Sequence, residues 1–561
     1  MAWASILGIA GWLAWAVVCV NVELMDGYAA IVNSQHFLGI TDGYFWQRGP
    51  GVAWMLMPAE FLAHRLDLHP LDVRVHHALF ALIHLAYLIG SWKLLAAEFG
   101  TRPSTLVAYI AAVPCFLFFS YAPFISHDLF PGVLTLWMFV LAARYLAAPH
   151  KGTLAALVAV GSSLALVKQT YALVWGALLL ANALVMFWPG TSRPGRWQTL
   201  GALTLGAALA GLITWSLYGW ALASNFPEIG WWQRPLQQAA MTVAHVELGG
   251  APADTFDQWL YLRNLSAYGA LTVILLLPGI YISILRGSDL QRMIAIGWLV
   301  LVASMAVLEF KEVRYLAFLA PMSAFLLVPA IRIVIAYRRA YAGAILAVWM
   351  VDLIRIVVEG ARIRDPFYRE TLTRFFSVLP TTGPSPRFVM DVPLSFVAPD
   401  AYAFSRDRYH RISSINADQI RLLYGYPQTA IISGLREDQF DQPWVLPGTI
   451  LFLANDMATR LPPYRDDNLP WRRDGFSQFA SVAEMVDLKL EASSYRLQQQ
   501  ASQPVILFRA SQSAAQPMTS NESFDVGSLQ ALKGLASTPE KVSLLAFRMH
   551  EYCSARGCES L

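Results

Sequence analysis

The sequence is short of charge. Asp, Glu, Lys and Arg make up 14% of 561 residues, against 56% apolar residues, whereas a soluble domain is about 25% charged and about 45–50% apolar. That deficit excludes an ordinary soluble enzyme and a disordered chain. The net charge of +3 provides no basic field for a nucleic-acid partner. Cysteine is scarce too, and four in so long a chain do not make a disulfide scaffold. Cys19 and Cys115 lie in apolar runs and read as inert packing. Cys553 and Cys558 sit close together in a polar tail and could pair outside a reducing compartment. There is no nucleotide-binding Gly loop, P-loop, zinc-ligand spacing, heptad pattern or clear internal repeat.

What the chain has instead is hydrophobic length. Runs that can span a bilayer need roughly 17–25 residues. About eleven are found, near 3–22, 76–96, 104–122, 129–148, 152–167, 171–189, 199–221, 266–285, 291–308, 315–336 and 341–358. The first has no basic leader and no convincing small-residue cleavage site, so it reads as a retained helix rather than a signal peptide. Alternate short loops are all basic: Lys93 and Arg102, Arg144 and Lys151, Arg193 and Arg196, Arg286 and Arg292, Arg338 and Arg339. By the positive-inside rule that side is the cytoplasm. The N-terminus is then cytoplasmic and the tail lies outside, which suits a bacterial inner membrane with the tail in the periplasm.

The expected architecture is an α-helical polytopic domain over 1–358, followed by a soluble domain of mixed α/β character over 359–561. In that tail RFVMDVPL and TILFLAND, about 387–394 and 449–456, look like short buried strands. Residues 416–426 and 482–497 look helical. Within the first outer loop, Tyr28, Ile31 and Val32 share a helical face. The apolar, Pro-interrupted segment 51–66 suits a helix lying in the interface.

Several cations face outward although charge bias gives no reason for it: Arg48, Arg65, Arg74, Lys168, Arg234, Arg263, Lys311 and Arg314. Binding an anionic group is the natural explanation. Acids accompany them. Glu23 and Asp26 follow the first run, and Ser126, His127 and Asp128 open the fourth. Lys168 closes the fifth, and Glu309, Lys311, Glu312 and Arg314 fill a later short link. Acids at the mouth of a bundle are costly unless partnered or used. A carboxylate can take the proton of an attacking hydroxyl, and cations can neutralise charge on a departing phosphate. Each residue has a plainer reading beside this one. Asp26 and Asp128 could cap helices, Lys168 could snorkel, and Lys311 and Arg314 could pair with their neighbouring Glu. Trp232, beside Trp231 and Arg234, could be interface belt rather than a sugar platform. His76, His77 and His84, at helical spacing, read as packed or hydrogen-bonded side chains.

In their order these motifs resemble the GT-C superfamily of polyprenyl-phosphate-dependent glycosyltransferases. The group in question contains the protein O-mannosyltransferases, the lipid A aminoarabinose transferases and the rhizobial galacturonosyltransferases. The residues that carry the resemblance are ELMDGYAAI with Asp26, YFWQRGPGVAWML with Arg48, ISHDLFPG with Asp128, LALVKQTYAL with Lys168, and KEVRYLAFLAP with Lys311, Arg314 and Tyr315. The chain departs from the pattern in two places. Gly27 stands where the group has a second acid, and no Gly follows Lys168.

The resemblance implies a sugar donor on a polyprenyl phosphate and a lipid, glycan or protein acceptor. It implies Asp26 as general base in an inverting transfer, and Asp128 orienting the acceptor or a cation near the site. Lys168, Arg314 and Lys311 or Arg48 would hold the lipid phosphate, and Tyr315, Trp232 and Arg234 are further candidate contacts. No cofactor is implied with certainty, and a divalent metal is left open. An O-antigen-ligase-like enzyme using a diphosphate-linked donor is the rival reading among enzymes. A lipid-linked-sugar flippase, the rival from another class, would instead place charges at the bilayer midplane in two related halves.

Overall fold

In lipid every backbone polar group has to be satisfied within its own segment, so apolar runs fold as helices. The computed structural model describes residues 2–20, 23, 25–40, 44, 49–68, 73–189, 195–239, 259–307, 313–337 and 339–364, with strands at 387–391, 430–431, 449–454, 495–502 and 505–512. Seven helices are long and apolar enough to cross a membrane: Ala2–Cys19, Arg74–Phe99, Gln169–Met186, Arg196–Ala221, Asp289–Val307, Arg314–Tyr337 and Tyr341–Ala361. Shorter apolar helices at Pro103–Ala112, Pro131–Ala147, Lys151–Val167 and Ala270–Arg286 fall on the remaining expected runs. The chain is a multi-pass membrane protein.

In chain order the helices are α1 (Ala2–Cys19), α2 (Met25–Phe37), α3 (Pro50–Arg65), α4 (Arg74–Phe99), α5 (Pro103–Ala112), α6 (Phe116–Tyr121), α7 (Pro131–Ala147), α8 (Lys151–Val167), α9 (Leu173–Met186) and α10 (Arg196–Ala221). They continue with α11 (Ala270–Arg286), α12 (Asp289–Val307), α13 (Ala320–Tyr337) and α14 (Arg339–Ala361). The run expected over 104–122 is not one helix. α5 stops at Ala112, the chain turns extended at Cys115, and α6 resumes at Phe116. Pro114 lies in the break, where it cannot donate to a helical ladder.

The loop after the first run folds as expected into short helices. α3 begins with Pro50 at its first position, where the missing N–H is harmless. It buries Val52, Ala53, Leu56, Ala59, Glu60 and Ala63, a helical stripe facing α2, α4 and α8. Phe61 and Leu62 stay exposed on the other side. Glu60 is the costly member of the stripe and is fully buried. It is satisfied by His76 Nε2 at 2.8 Å and Gln35 Nε2 at 3.2 Å, so one carboxylate ties α2, α3 and α4 together.

An acid within a candidate span is a functional hypothesis by default. Asp352 on α14 has a structural use instead. Its two carboxylate oxygens accept the backbone N–H groups of Ala270 at 2.7 Å and Leu271 at 3.0 Å. These are the first amides of α11 and have no intrahelical acceptor. Gly269, at φ +94°, makes the turn that presents them. Near the end of α14, Glu359 accepts from Ser120 Oγ at 3.1 Å, and the Gly360 carbonyl accepts from Trp12 Nε1 at 3.0 Å. The last helix is thereby fastened to α1, α6 and α11.

Beyond the bundle the described residues form one five-stranded sheet, ordered β2-β1-β3-β5-β4. β1 (Arg387–Asp391), β2 (Ala430–Ile431) and β3 (Thr449–Ala454) are parallel, while β4 (Tyr495–Ser502) and β5 (Val505–Gln512) form an antiparallel pair added to β3. β1 and β3 lie where the two apolar stretches predicted strands, and near-continuous apolar runs suit a parallel sheet. The helix expected over 482–497 is corrected at its end. Tyr495, Arg496 and Leu497 belong to β4, paired with Gln512, Ser511 and Ala510. Cross-strand pairing there overrides local helical preference. The rest of that stretch, residues 416–426, and Cys553 and Cys558 lie outside the described residues.

Candidate functional site

Three breaks in the helices build the site. The first is the turn between α6 and α7, which carries His127 and Asp128. Pro131 takes the first position of α7 and Phe130 precedes it as the cap residue, so Asp128 is not that helix's cap. The second is the end of α8, where Lys168 turns extended at φ −153°, ψ 128°. A 3₁₀ turn at Gln169–Ala172 then leads into α9, so the boundary expected at Lys168 and Gln169 is a real corner. The third is a 3₁₀ stretch, Val313–Leu319, that feeds α13 and carries Arg314 and Tyr315. Gly132 lets the first and third come together. A Cβ on it would run into the Phe318 carbonyl and the Pro321 ring.

Asp128, Lys168 and Arg314, far apart in sequence, meet here. Lys168 Nζ donates to Asp128 Oδ1 at 2.8 Å, and Arg314 Nε lies 3.4 Å from Oδ2. That second contact is an ion pair without hydrogen-bond alignment, since Oδ2 accepts no hydrogen bond among the described residues. Tyr171 donates to the His127 carbonyl at 3.1 Å and reaches Asp128 Oδ1 at 3.4 Å. His127 Nε2 is 3.7 Å from the same oxygen. Lys168 Nζ also stands 3.6 Å above the Tyr315 ring, an attraction that fixes the ammonium sideways.

Asp128 is 1% exposed and the Lys168 side chain 17%, so the cation faces outward and its counterion sits behind it. Burial raises the Asp128 carboxyl, but the charges of Lys168, His127 and Arg314 more than offset that and bring it down to about 2. The carboxylate is ionised at any physiological pH. Two cations flank this one carboxylate, and an ammonium with three N–H groups and a guanidinium with five carry more donors than Asp128 alone engages.

Position 26 falls in the first turn of α2, which begins at Met25. The N-terminal turn of a helix favours a carboxylate; the Asp26 side chain lies outside what the structure describes. Arg48 and Lys311 are outside the described residues. Gly49, next to Arg48 in sequence, packs against the Leu166 carbonyl at the end of α8.

Arg234 differs from the expectation of a substrate contact. Its guanidinium donates to the carbonyls of Phe226, Ile229 and Gly219 at 2.9–3.1 Å. These are loop and helix-end acceptors beyond and within the last turns of α10, so its donors fold the loop. Trp232 is exposed, and its ring lies 5.7 Å from Trp215 and 5.4 Å from Trp231. That cluster lies at the end of α10 and in the segment after it, and its exposed rings have the character of an interface belt.

Sequence reasoning missed a layer of polar contacts behind the cluster. Glu23 is fully buried, with its carboxylate on His77 Nε2 and the Ile125 amide. Gln169 joins the segment after α10 by donating to Gln238 at 2.8 Å. The signal available for Tyr171 was a hydroxyl closing the polar interruption Lys168-Gln169-Thr170 between two apolar runs. His76, His77 and His84 each hydrogen-bond, to Glu60, to Glu23 and the Val20 carbonyl, and to the Ala122 carbonyl. Among the described residues no group of three or more His, Cys, Asp or Glu side chains is placed to hold a metal ion.

No family model matches the chain, and no curated protein matches it in sequence. Solved structures do. ArnT from Cupriavidus metallidurans bound to undecaprenyl phosphate aligns with a TM-score of 0.56 at 12% identity, covering 92% of this chain and 99% of that one. Its apo state aligns at 0.51 and 13% identity, covering 90% and 97%. The oligosaccharyltransferase AglB from Archaeoglobus fulgidus, in complex with an inhibitory peptide and a dolichol-phosphate, gives 0.45 at 12%, covering 91% and 74%. At such identity the likeness to ArnT is one of fold.

Proposed function

Starting from the GT-C fold shared with ArnT, we propose that this chain is a membrane glycosyltransferase that takes a sugar from a polyprenyl-phosphate donor. The observation that carries the reading is the Asp128–Lys168–Arg314 cluster at the junction of three helix breaks. Lys168 and Arg314 bind the lipid phosphate. Asp128, shut away behind them, does not touch the acceptor. It holds both cations at fixed separation, so little reorganisation is needed when charge builds on the leaving phosphate. Tyr315 keeps the Lys168 ammonium in place.

Asp26, in the first turn of α2, is the general base. It removes the proton of the acceptor hydroxyl as that oxygen attacks the anomeric carbon, and the lipid phosphate departs from the opposite face in one inverting displacement. The acceptor is a hydroxyl on a lipid, glycan or protein, met on the outer side of an inner membrane. Arg48 and Lys311 are additional candidates for the phosphate, and the tail with its sheet is a candidate for acceptor selection.

The test uses membranes supplied with undecaprenyl-phosphate-linked sugar. Asp26→Asn is expected to abolish transfer while leaving binding of undecaprenyl phosphate intact. Lys168→Ala is expected to weaken that binding by about 10–100-fold. Near-normal transfer by Asp26→Asn would remove the base from the proposal, and equal lipid binding by wild type and Lys168→Ala would remove the phosphate site.

A further inference from the structure

Glu23 and His77 stand behind the proposed site without belonging to it. Glu23 leaves the end of α1 just before α2 and is 0% exposed. Its Oε2 faces His77 Nε2 at 2.7 Å and the backbone N–H of Ile125 at 3.0 Å. Ile125 lies three residues ahead of Asp128, in the turn that carries it. The same carboxyl also fills the space in which a side chain at position 27 would stand, because a Cβ on Gly27 would overlap Glu23 Cγ, Cδ and Oε1. One carboxyl therefore touches the first turn of α2, helix α4 and the Asp128 turn.

The proton inventory is restrictive. His77 Nδ1 is 3.1 Å from the Val20 carbonyl, which can only accept, so that nitrogen carries a hydrogen. Either Nε2 is protonated too and faces a carboxylate, or it is bare and accepts from a protonated Glu23. In both arrangements Glu23 Oε2 remains the acceptor for Ile125 N–H. The contact needs an oxygen of this reach and does not need the negative charge.

We infer that Glu23, held by His77, is a positioning residue: it fixes the turn bearing Asp128 relative to the start of α2, and so sets the phosphate-binding cations against position 26. It passes no proton to substrate and touches no reacting atom. The inference rests on the proposed phosphate site for one of its two readouts only.

The experiment compares full-length wild type, Glu23→Gln, Glu23→Ala and Lys168→Ala in nanodiscs. It follows hydrogen exchange in a peptide spanning 123–130 and the affinity for undecaprenyl phosphate. Both contacts fall on one atom, Oε2, so Gln keeps the Ile125 N–H contact with its carbonyl oxygen in that place, where the same oxygen also accepts from a protonated His77 Nε2. Glu23→Gln is therefore expected to stay near wild type in both readouts. Glu23→Ala removes the acceptor and is expected to speed exchange in that peptide by about tenfold or more and to weaken lipid affinity. Unchanged exchange in Glu23→Ala, or faster exchange with unchanged affinity, overturns the inference. So does a well-folded Glu23→Gln as impaired as Glu23→Ala, since that result assigns the role to the carboxyl group and not to an oxygen of this reach. If Lys168→Ala binds the lipid as wild type does, the phosphate site falls, and the exchange data alone decide whether Glu23 fixes the turn.

Discussion

Asp128 separates the two things a buried acid can be. With its side chain 1% exposed beside Lys168 and Arg314, it is a counterion, and removing its charge takes that partner from both cations. Breaking such a buried pair costs about 3–5 kcal/mol. Asp128→Asn is therefore expected to lower the unfolding midpoint markedly in a thermal melt, and Lys168→Ala much less. Lys168→Ala should instead weaken undecaprenyl phosphate by about 10–100-fold, the loss of a charged hydrogen bond worth about 1.5–3 kcal/mol. The pH dependence follows from the depressed carboxyl. A group lowered in the folded state stabilises above its unfolded value, near about 3.9, and loses that stability only as pH falls through the folded value, about 2. Between pH 5 and 8 Asp128 does not titrate. A phosphate monoester does, with a second ionisation near about 6. Lipid affinity is therefore expected to rise from pH 5 to 7, and a midpoint that tracked the state of Asp128 would contradict the ion-pair geometry.

Between elements, two glycines set the spacing. Gly132 allows α7 to start against the 3₁₀ stretch before α13. Gly132→Val is expected to separate Asp128 from Arg314 and weaken lipid binding along with stability. Gly27 is filled by Glu23, so Gly27→Ala should destabilise the wild type yet be nearly neutral in a Glu23→Ala background. A double-mutant cycle in thermal melts measures that coupling, and additive effects would place the Glu23 carboxyl elsewhere. Arg234 belongs to the same scale. Arg234→Ala frees three carbonyls around the end of α10. It is expected to lower the melting temperature without changing lipid affinity, the converse of Lys168→Ala.

Across the whole molecule, legibility followed the range of the interaction. Apolar runs are local, and helices stand where hydropathy placed them, apart from the interruption that Pro114 makes between α5 and α6. β1 and β3 were legible as short apolar runs, while β4 was not, because YRLQQQAS becomes a strand only opposite β5. The sequence set Asp26, Asp128, Lys168, Lys311 and Arg314 at helix ends on one side; the side-chain geometry brings Asp128, Lys168 and Arg314 within ion-pair distance, while Lys311 and the Asp26 side chain lie outside what the structure describes. What sequence could not reveal was which acid pairs with which base. Glu23 meets His77 across 54 positions and Glu60 meets His76 across 16, and no spacing rule encodes a contact between separate helices. Arg234 looked like its outward-facing peers in composition and differed only in having backbone carbonyls within reach.

The Asp352 contact bears on how the protein is made. The amides at the start of α11 find their acceptor on α14, some eighty residues later in the chain. While the polypeptide is still emerging from the ribosome, those amides must wait in the lipid or remain hydrated near its surface. A nascent chain stopped short of Asp352 would carry an unfinished helix end, a defect that membrane proteases can recognise. Pulse-chase turnover of a truncation at 350 should therefore be fast, and Asp352→Ala in the full-length chain should reproduce much of that instability.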